Sequence, residues 1–549
     1  MIVEMKRYST ALILLLLAAC DGKALFGQDD GANSGAPLRV TAEDLLRNPV
    51  GENWPSYNGD YTSRRFSSLR EINLSNVAQL RAAWVFHPGN SQKLEATPVV
   101  VRGVMYLTSA NDVFALDAST GRTLWHYARP VSSGLLDDAA AHKSRGVAVW
   151  EQFVYSETDD AHLLCLDARS GNLLWDAQYA DKVKQYGATS APLVVKDEVI
   201  VGTSGGDSGV RGFVAAYDAR KGTLKWRLWT IPGPGEFGSA SWPGDSYLHG
   251  GGTTWMPGTY DPELDTVYWT TSNAAPDFDG SPRPGDDLYT ACVLAIDPNN
   301  GKLKWYFQFT PHDVYDYDAN ETPVLVDREE NGTTRHLLLQ ANRNGFFYVL
   351  DRTDGKFLRA TPFVEKLNWA TGIDACGRPL PSGRIPTKEG TYICPGIVGA
   401  TNWFSPSYNP NTGLFYVMAL ENCNLYFVKP KPFTQGETFY GTGTKHPVGE
   451  DSRKILLALS PGDGKKVWQY PQAGHGNSWG GTLTTAGGLV FFADDAESFE
   501  AVDAATGRAL WHFNTGQSFS ASPMTYAVEG VQYVAISAGS DVFSFALPH

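Results

Sequence analysis

A nine-residue frame, Asp-x-x-x-Gly-x-x-x-Trp, returns along almost the whole chain and limits its fold more than any other feature. It stands at Asp117/Gly121/Trp125, Asp167/Gly171/Trp175, Asp218/Gly222/Trp226, Asp297/Gly301/Trp305 and Asp503/Gly507/Trp511. Two copies are altered: Asp351/Gly355 ends in Arg359, and Ser460/Gly464/Trp468 lacks the acid. Short apolar runs such as Val104-Met105-Tyr106-Leu107 and Val113-Phe114-Ala115-Leu116 come before the copies, so each unit reads as strands joined by tight turns. The Asp side chain can cap such a turn, and Gly permits positive φ there. The Trp, just inside the next strand, then acts as a packing peg against the neighbouring unit.

Strand units that repeat every roughly 40–50 residues predict a β-propeller. The anchors at 117, 167, 218, 297, 351, 460 and 503 are 50, 51, 79, 54, 109 and 43 residues apart. The interval of 109 is long enough for two units, and Tyr408-Asn409-Pro410-Asn411-Thr412-Gly413-Leu414-Phe415-Tyr416-Val417 inside it reads as a degenerate copy. The expectation is therefore an all-β, eight-bladed β-propeller with Trp-docking repeats, a single domain over residues 49–549. The long intervals must hold inserted loops, and loops on a rigid strand scaffold are where function is usually placed. The 16 Trp and 56 Gly suit a turn-rich, Trp-pegged ring.

A net charge of −14 argues against nucleic acid as a partner, since phosphate binding needs a basic face. At the N-terminus, Met5-Lys6-Arg7 and the apolar run Ala11–Ala19 have the layout of an export signal over residues 1–19. Leu17-Ala18-Ala19-Cys20 resembles a bacterial lipobox. That resemblance implies a lipid on Cys20, retention at the inner membrane through Asp21, and a flexible tether over residues 20–48. An ordinary signal peptide is the alternative, and either reading places the protein in the periplasm. Cys165 and Cys292 sit in apolar strand contexts and read as small buried residues. Cys376, Cys394 and Cys423 fall in the inserted region, where one pair and one remaining thiol are expected. No Cys-x-x-Cys-His is present, so the sequence has no site for covalent c-type haem.

Several loop segments go beyond the repeat. They are Asn53-Trp54-Pro55-Ser56-Tyr57-Asn58-Gly59, Gly209-Val210-Arg211-Gly212, Gly250-Gly251-Gly252-Thr253-Thr254-Trp255, Thr310-Pro311-His312-Asp313-Val314-Tyr315-Asp316-Tyr317-Asp318 and Asn342-Arg343-Asn344-Gly345-Phe346. In this order they resemble the pyrroloquinoline-quinone (PQQ) dependent alcohol dehydrogenases, from about residue 50 to the C-terminus. The resemblance implies a periplasmic quinoprotein that oxidises a primary alcohol by hydride transfer to PQQ beside a metal ion.

It also implies a set of site residues. Glu95, Arg145, Thr158, Thr189, Ser204, Gly205, Gly206, Trp255, Arg343, Asn402 and Trp479 match cofactor contacts, with Arg145 on a cofactor carboxylate and Trp255 as the flat stacking floor. Asp207 and Asn273 match oxygen ligands of the metal, which suits calcium or a lanthanide ion. Asp316 matches the general base, and Arg343 the cation that stabilises charge on the reduced quinone. Asp318, two residues after the base, resembles the extra acid of lanthanide-dependent members. Cys394 and Cys423 match a family disulfide, which would leave Cys376 unpaired.

Two departures stand out. Ala139 and Ala140 occupy positions where many members have adjacent cysteines, and Asp207 is one methylene shorter than the usual Glu. With no haem site in the chain, the electrons are expected to leave through a separate cytochrome c or a membrane quinone. The competing reading is a cofactor-free propeller lipoprotein that binds other proteins. Such a scaffold has no need of a Trp floor, an Asp/Asn pair or an Asp base.

Overall fold

The computed structural model describes residues 39–90, 93–136, 142–330, 332–474 and 478–548. Cys20, Asp21, Ala139 and Ala140 lie outside the described residues. The described chain is an all-β propeller: seven of its sheets have four strands and one has five, beside two small sheets of two and three strands.

The repeat works across units. In the first copy, Asp117 Oδ1 accepts hydrogen bonds from the backbone N–H groups of Ser119 at 2.9 Å and Thr120 at 3.1 Å, closing the turn between Asp112–Asp117 and Thr123–Tyr127. Trp125 then packs on the turn of the next unit. A Cβ on Gly171 would lie 2.6 Å from an indole carbon of Trp125, and Gly171 has φ +72°, so two constraints select glycine there. Trp84 with Gly121, Trp175 with Gly222, Trp226 with Gly301, Trp305 with Gly355 and Trp468 with Gly507 make the same contact. The indole N–H usually donates to a carbonyl beside that glycine turn: Trp84 to Ala118 O at 3.1 Å, Trp125 to Ala168 O at 2.9 Å and Trp468 to Ala504 O at 3.1 Å.

The altered copies are repaired in kind. Where Arg359 replaces Trp, its guanidinium donates to Pro461 O, the equivalent carbonyl of the following unit. Gly464 meets Thr361 there instead of an indole.

The structure differs from the sequence reading in how the units are cut. Tyr408–Val417 is not a unit of its own. Ser407–Asn409 and Leu414–Glu421 pair in one sheet with Arg453–Leu459 and Lys466–Pro471, so residues 422–452 are an insertion inside that sheet. The sheet that the anchors fail to mark is composite. Met524–Val528, Val531–Ala538 and Asp541–Ala546 are completed by Arg81–Phe86 from the other end of the chain, with Arg81 opposite Ala546 and Phe86 opposite Val542. Trp511 of the preceding unit donates to Leu80 O at 3.1 Å, so the N-terminal strand also receives a docking contact.

Cys394 and Cys423 form a disulfide that ties the start of the insertion to the segment ahead of Ser407–Asn409. Cys165 and Cys292 are buried free thiols, and Cys376 is exposed.

Candidate active site

Antiparallel pairing sets where a site can form. The start of the first strand of a sheet and the end of its second strand lie at the same end of that sheet. The residues singled out in the sequence occupy these two places. Glu95, Arg145, Thr189, Trp255, Asp316, Asn402 and Trp479 come shortly before the first strands that begin at Val99, Val147, Leu193, Thr259, Val324, Ser407 and Thr482. Ser204–Asp207, Asn273 and Arg343 follow second strands that end at Val201, Thr270 and Ala341. All of them line one cavity of about 500 Å³, within the roughly 300–1,000 Å³ of small-molecule sites.

Ser520, ahead of Met524–Val528, brings in the composite sheet as well, so every four- or five-stranded sheet sends a residue to this cavity. Thr158 is not among the lining residues: it is buried, and its hydroxyl donates to Asp160 Oδ1 at 2.6 Å. Sequence reasoning missed Lys93, Lys143 and Ser520 in the lining. The spacing of Ser520 before its strand was a usable signal once that strand was known.

The cavity has two electrical ends. At one, Arg145 pairs with Glu95 at 2.8 Å and donates to Thr189 O at 2.7 Å, with Lys143 3.6 Å from Glu95 and Lys93 on the same wall. Three cations there face one buried acid. The Arg145 guanidinium also lies 4.9 Å from the ring centre of Trp255 and 4.7 Å from that of Trp403. Close backbone approach shapes the lining elsewhere: Gly205 has φ +98°, and a Cβ on it would stand 2.2 Å from Gln185 O.

At the other end acids collect. Asp318 is fixed by three donors: Asn273 N at 2.7 Å to Oδ1, and Trp255 Nε1 and Asn320 Nδ2, both at 2.9 Å, to Oδ2. Arg343 reaches both Asp316 and Asp318 at 3.4 Å and donates to Ile397 O at 2.7 Å. The Asn273 amide is 3.5 Å from Asp207 Oδ1. Asp316 holds a positive φ of 62°, a left-handed conformation uncommon outside glycine, and keeps 22% of its side chain open. His312 turns away to Asp287 at 3.2 Å and stays outside the lining.

Burial raises the Asp316 carboxyl well above the usual carboxylate range; Arg343 opposes this, and Asp318 and Asp207 add to it. Asp318 is raised for the same first reason, with Arg343 and its hydrogen bonds pulling the other way. Such a group of acids disfavours full ionisation unless a cation joins it.

The donor set fits a hard cation: Asp207, Asn273, Asp316 and Asp318 offer oxygen, and no thiol or imidazole is among the lining residues. Trp255 links the two ends, its indole face toward Arg145 and its N–H bonded to Asp318. A flat anion with carboxylates at one edge and an electrophilic carbonyl at the other fits this layout.

Comparison with known proteins agrees. Residues 54–366 and 445–534 match the family model described as the β-propeller domain of PQQ-dependent glucose/ethanol/alcohol dehydrogenase. The chain is 40% identical to quinohemoprotein alcohol dehydrogenase ADH IIB of Pseudomonas putida, over 97% of this chain and 78% of that protein. It is 37% identical to the quinoprotein alcohol dehydrogenase PedH of Pseudomonas putida, over 92% and 89%. Among solved structures, a europium-containing methanol dehydrogenase superposes with a TM-score of 0.83 at 32% identity, covering 92% of this chain and 99% of that one. Repeat, cavity and comparisons together show that this chain belongs to the PQQ-dependent quinoprotein alcohol dehydrogenases, oxidoreductases that act on CH–OH donors.

Proposed function

We propose that the chain is a periplasmic, eight-bladed quinoprotein that oxidises an alcohol by hydride transfer to PQQ, with Asp316 as general base. The observation that carries this reading is the two-ended cavity, cationic at Arg145 and acidic at Asp207, Asp316 and Asp318, with Trp255 between. Bound PQQ with its metal supplies a polarised carbonyl that accepts hydride.

The chain's own residues then have distinct tasks. Arg145, Lys93 and Lys143 hold carboxylates, and Thr189 and Ser204 to Gly206 shape the wall against the cofactor rim. Trp255 gives the flat floor, and Asn402, Trp403 and Trp479 line the same cavity around it. Asp207, Asn273 and Asp318 hold the cation, which the europium-containing relative supports reading as a lanthanide, with calcium the alternative. A cation among the acids offsets their mutual repulsion, so Asp316 stands as a carboxylate able to take the hydroxyl proton of the alcohol. Arg343, touching both Asp316 and Asp318, keeps the base oriented and supplies positive charge where negative charge develops. Electrons leave to a cytochrome c or a membrane quinone, and a lipid on Cys20 would keep the enzyme near either.

The test is to titrate metal-free protein with PQQ plus calcium and with PQQ plus lanthanum, following absorbance and dye-linked oxidation of an alcohol panel. Oxidation that requires PQQ and one of the two ions is expected. Failure of both combinations to support turnover overturns the reading.

A further inference from the structure

The insertion builds a small sheet of its own. Asn424–Val428 is the middle strand, with Thr391–Ile393 on one side and Thr442–Lys445 on the other. Antiparallel pairing sets Asn424 opposite Ile393, and the Cys394–Cys423 disulfide closes the same end of that pair. From this end the chain runs on through Gly396-Ile397-Val398-Gly399, and Ile397 and Val398 line the cavity.

Two buried asparagines hold this tight loop at three points. Asn424 Oδ1 accepts from Ile397 N at 2.9 Å, Asn422 O accepts from Gly396 N at 3.0 Å, and Asn422 Nδ2 donates to Gly399 O at 2.8 Å. The packing is close: a Cβ on Gly396 would stand 2.2 Å from Asn424 Oδ1, and one on Gly399 would stand 2.7 Å from the Cβ of Arg343. The same loop grips Arg343 by its backbone and by its head. Ala400 N donates to Arg343 O at 2.8 Å, and Ile397 O accepts from Arg343 Nη2 at 2.7 Å. The contacts of Arg343 with Asp316 and Asp318 are longer, 3.4 Å each, so the Ile397 carbonyl fixes the guanidinium more tightly than either acid does.

We infer that Asn424 is a positioning residue for Arg343: by holding Ile397 N–H it sets where the Ile397 carbonyl stands, and that carbonyl keeps the guanidinium against Asp316 and Asp318. Its catalytic consequence rests on the quinoprotein reading of the cavity, in which Arg343 supplies positive charge where negative charge develops. A long side chain with many rotamers to lose gains most from such a brace.

The experiment uses full-length wild type, Asn424→Ala, Arg343→Lys and the double variant. Phe427→Ala is the control, on the same strand but packed against Gly390 and Lys445. In metal-free protein, Asn424→Ala is expected to speed hydrogen exchange about tenfold or more at both Ile397 and Ala400 amides. Phe427→Ala should leave Ala400 protected. With PQQ and calcium or lanthanum, Asn424→Ala should lower kcat by about 10–100-fold while KM and PQQ absorbance stay near wild type. Added to Arg343→Lys it should cost little more, since both changes undo one alignment. Phe427→Ala should lower Tm and leave kcat unchanged. Losses that multiply in the double variant, a kcat loss in Phe427→Ala equal to that in Asn424→Ala, or unchanged exchange at Ala400 each overturn the inference. If wild type shows no PQQ-dependent turnover, the quinoprotein reading fails, and exchange at Ala400 alone decides whether Asn424 holds Arg343.

Discussion

The docking contacts between units and the acidic end of the cavity are built differently, although one docking indole, Trp175 Nε1, is buried without a partner among the described residues. In the contact of Trp125 with Gly171, an indole covers a glycine turn and its N–H is satisfied by Ala168 O. Even the broken copy keeps the rule, since Arg359 donates to Pro461 O where an indole would have done so. At the acidic end, Arg343 Nε is buried without a partner among the described residues, and the Asp207, Asp316 and Asp318 carboxylates repel one another. The difference separates what holds the ring from what the ring is for. The contacts between units contribute stability by packing, and the cavity gathers like charges whose repulsion a bound cation would offset.

The sharpest way to break this contrast is at the base. Asp316→Ala should lower kcat by about 10²–10⁴-fold, the usual contribution of a positioned acid or base. Cofactor uptake by absorbance and thermal stability should stay near wild type. A large loss of stability with intact turnover would reverse the assignment of the two regions.

Gly171→Val tests the other side. The new side chain must enter a left-handed turn and displace the Trp125 ring, which should cost roughly 2–4 kcal/mol. Denaturant unfolding measures that loss, and kcat of the folded fraction should not change. If kcat fell in step with stability, ring packing and cavity geometry would be coupled more tightly than the separation above allows.

The smallest effect is expected at Arg359→Ala, which removes one hydrogen bond between units and should cost about 1–2 kcal/mol. The variant checks whether Arg359 truly stands in for tryptophan. An unchanged midpoint would mean that the contact to Pro461 contributes nothing.

These residues also show what could be read from the chain alone. The Trp and Gly positions were legible because each does the same local job several times, so chance does not reproduce the spacing. The Tyr408–Val417 segment misled because its turn mimics an anchor, and an insertion of residues 422–452 hides the partners of its strands. Arg81–Phe86 was invisible as a strand of the last sheet because its partner, Asp541–Ala546, is at the far end of the chain. Most cavity residues were found through motif resemblance. Lys93, Lys143 and Ser520 belong to no motif and became readable only through position. Thr158 matched by resemblance, yet its hydroxyl is engaged by Asp160.

By itself the sequence determined the period, the docking chemistry and the family, because turn residues and packing pegs act over a few bonds and leave a repeating trace. Tertiary structure decided which side chains meet. Ring closure and antiparallel pairing bring the starts of first strands and the ends of second strands to one end of every sheet, so residues hundreds of positions apart share a cavity. Their charges add there, and no local pattern records that sum.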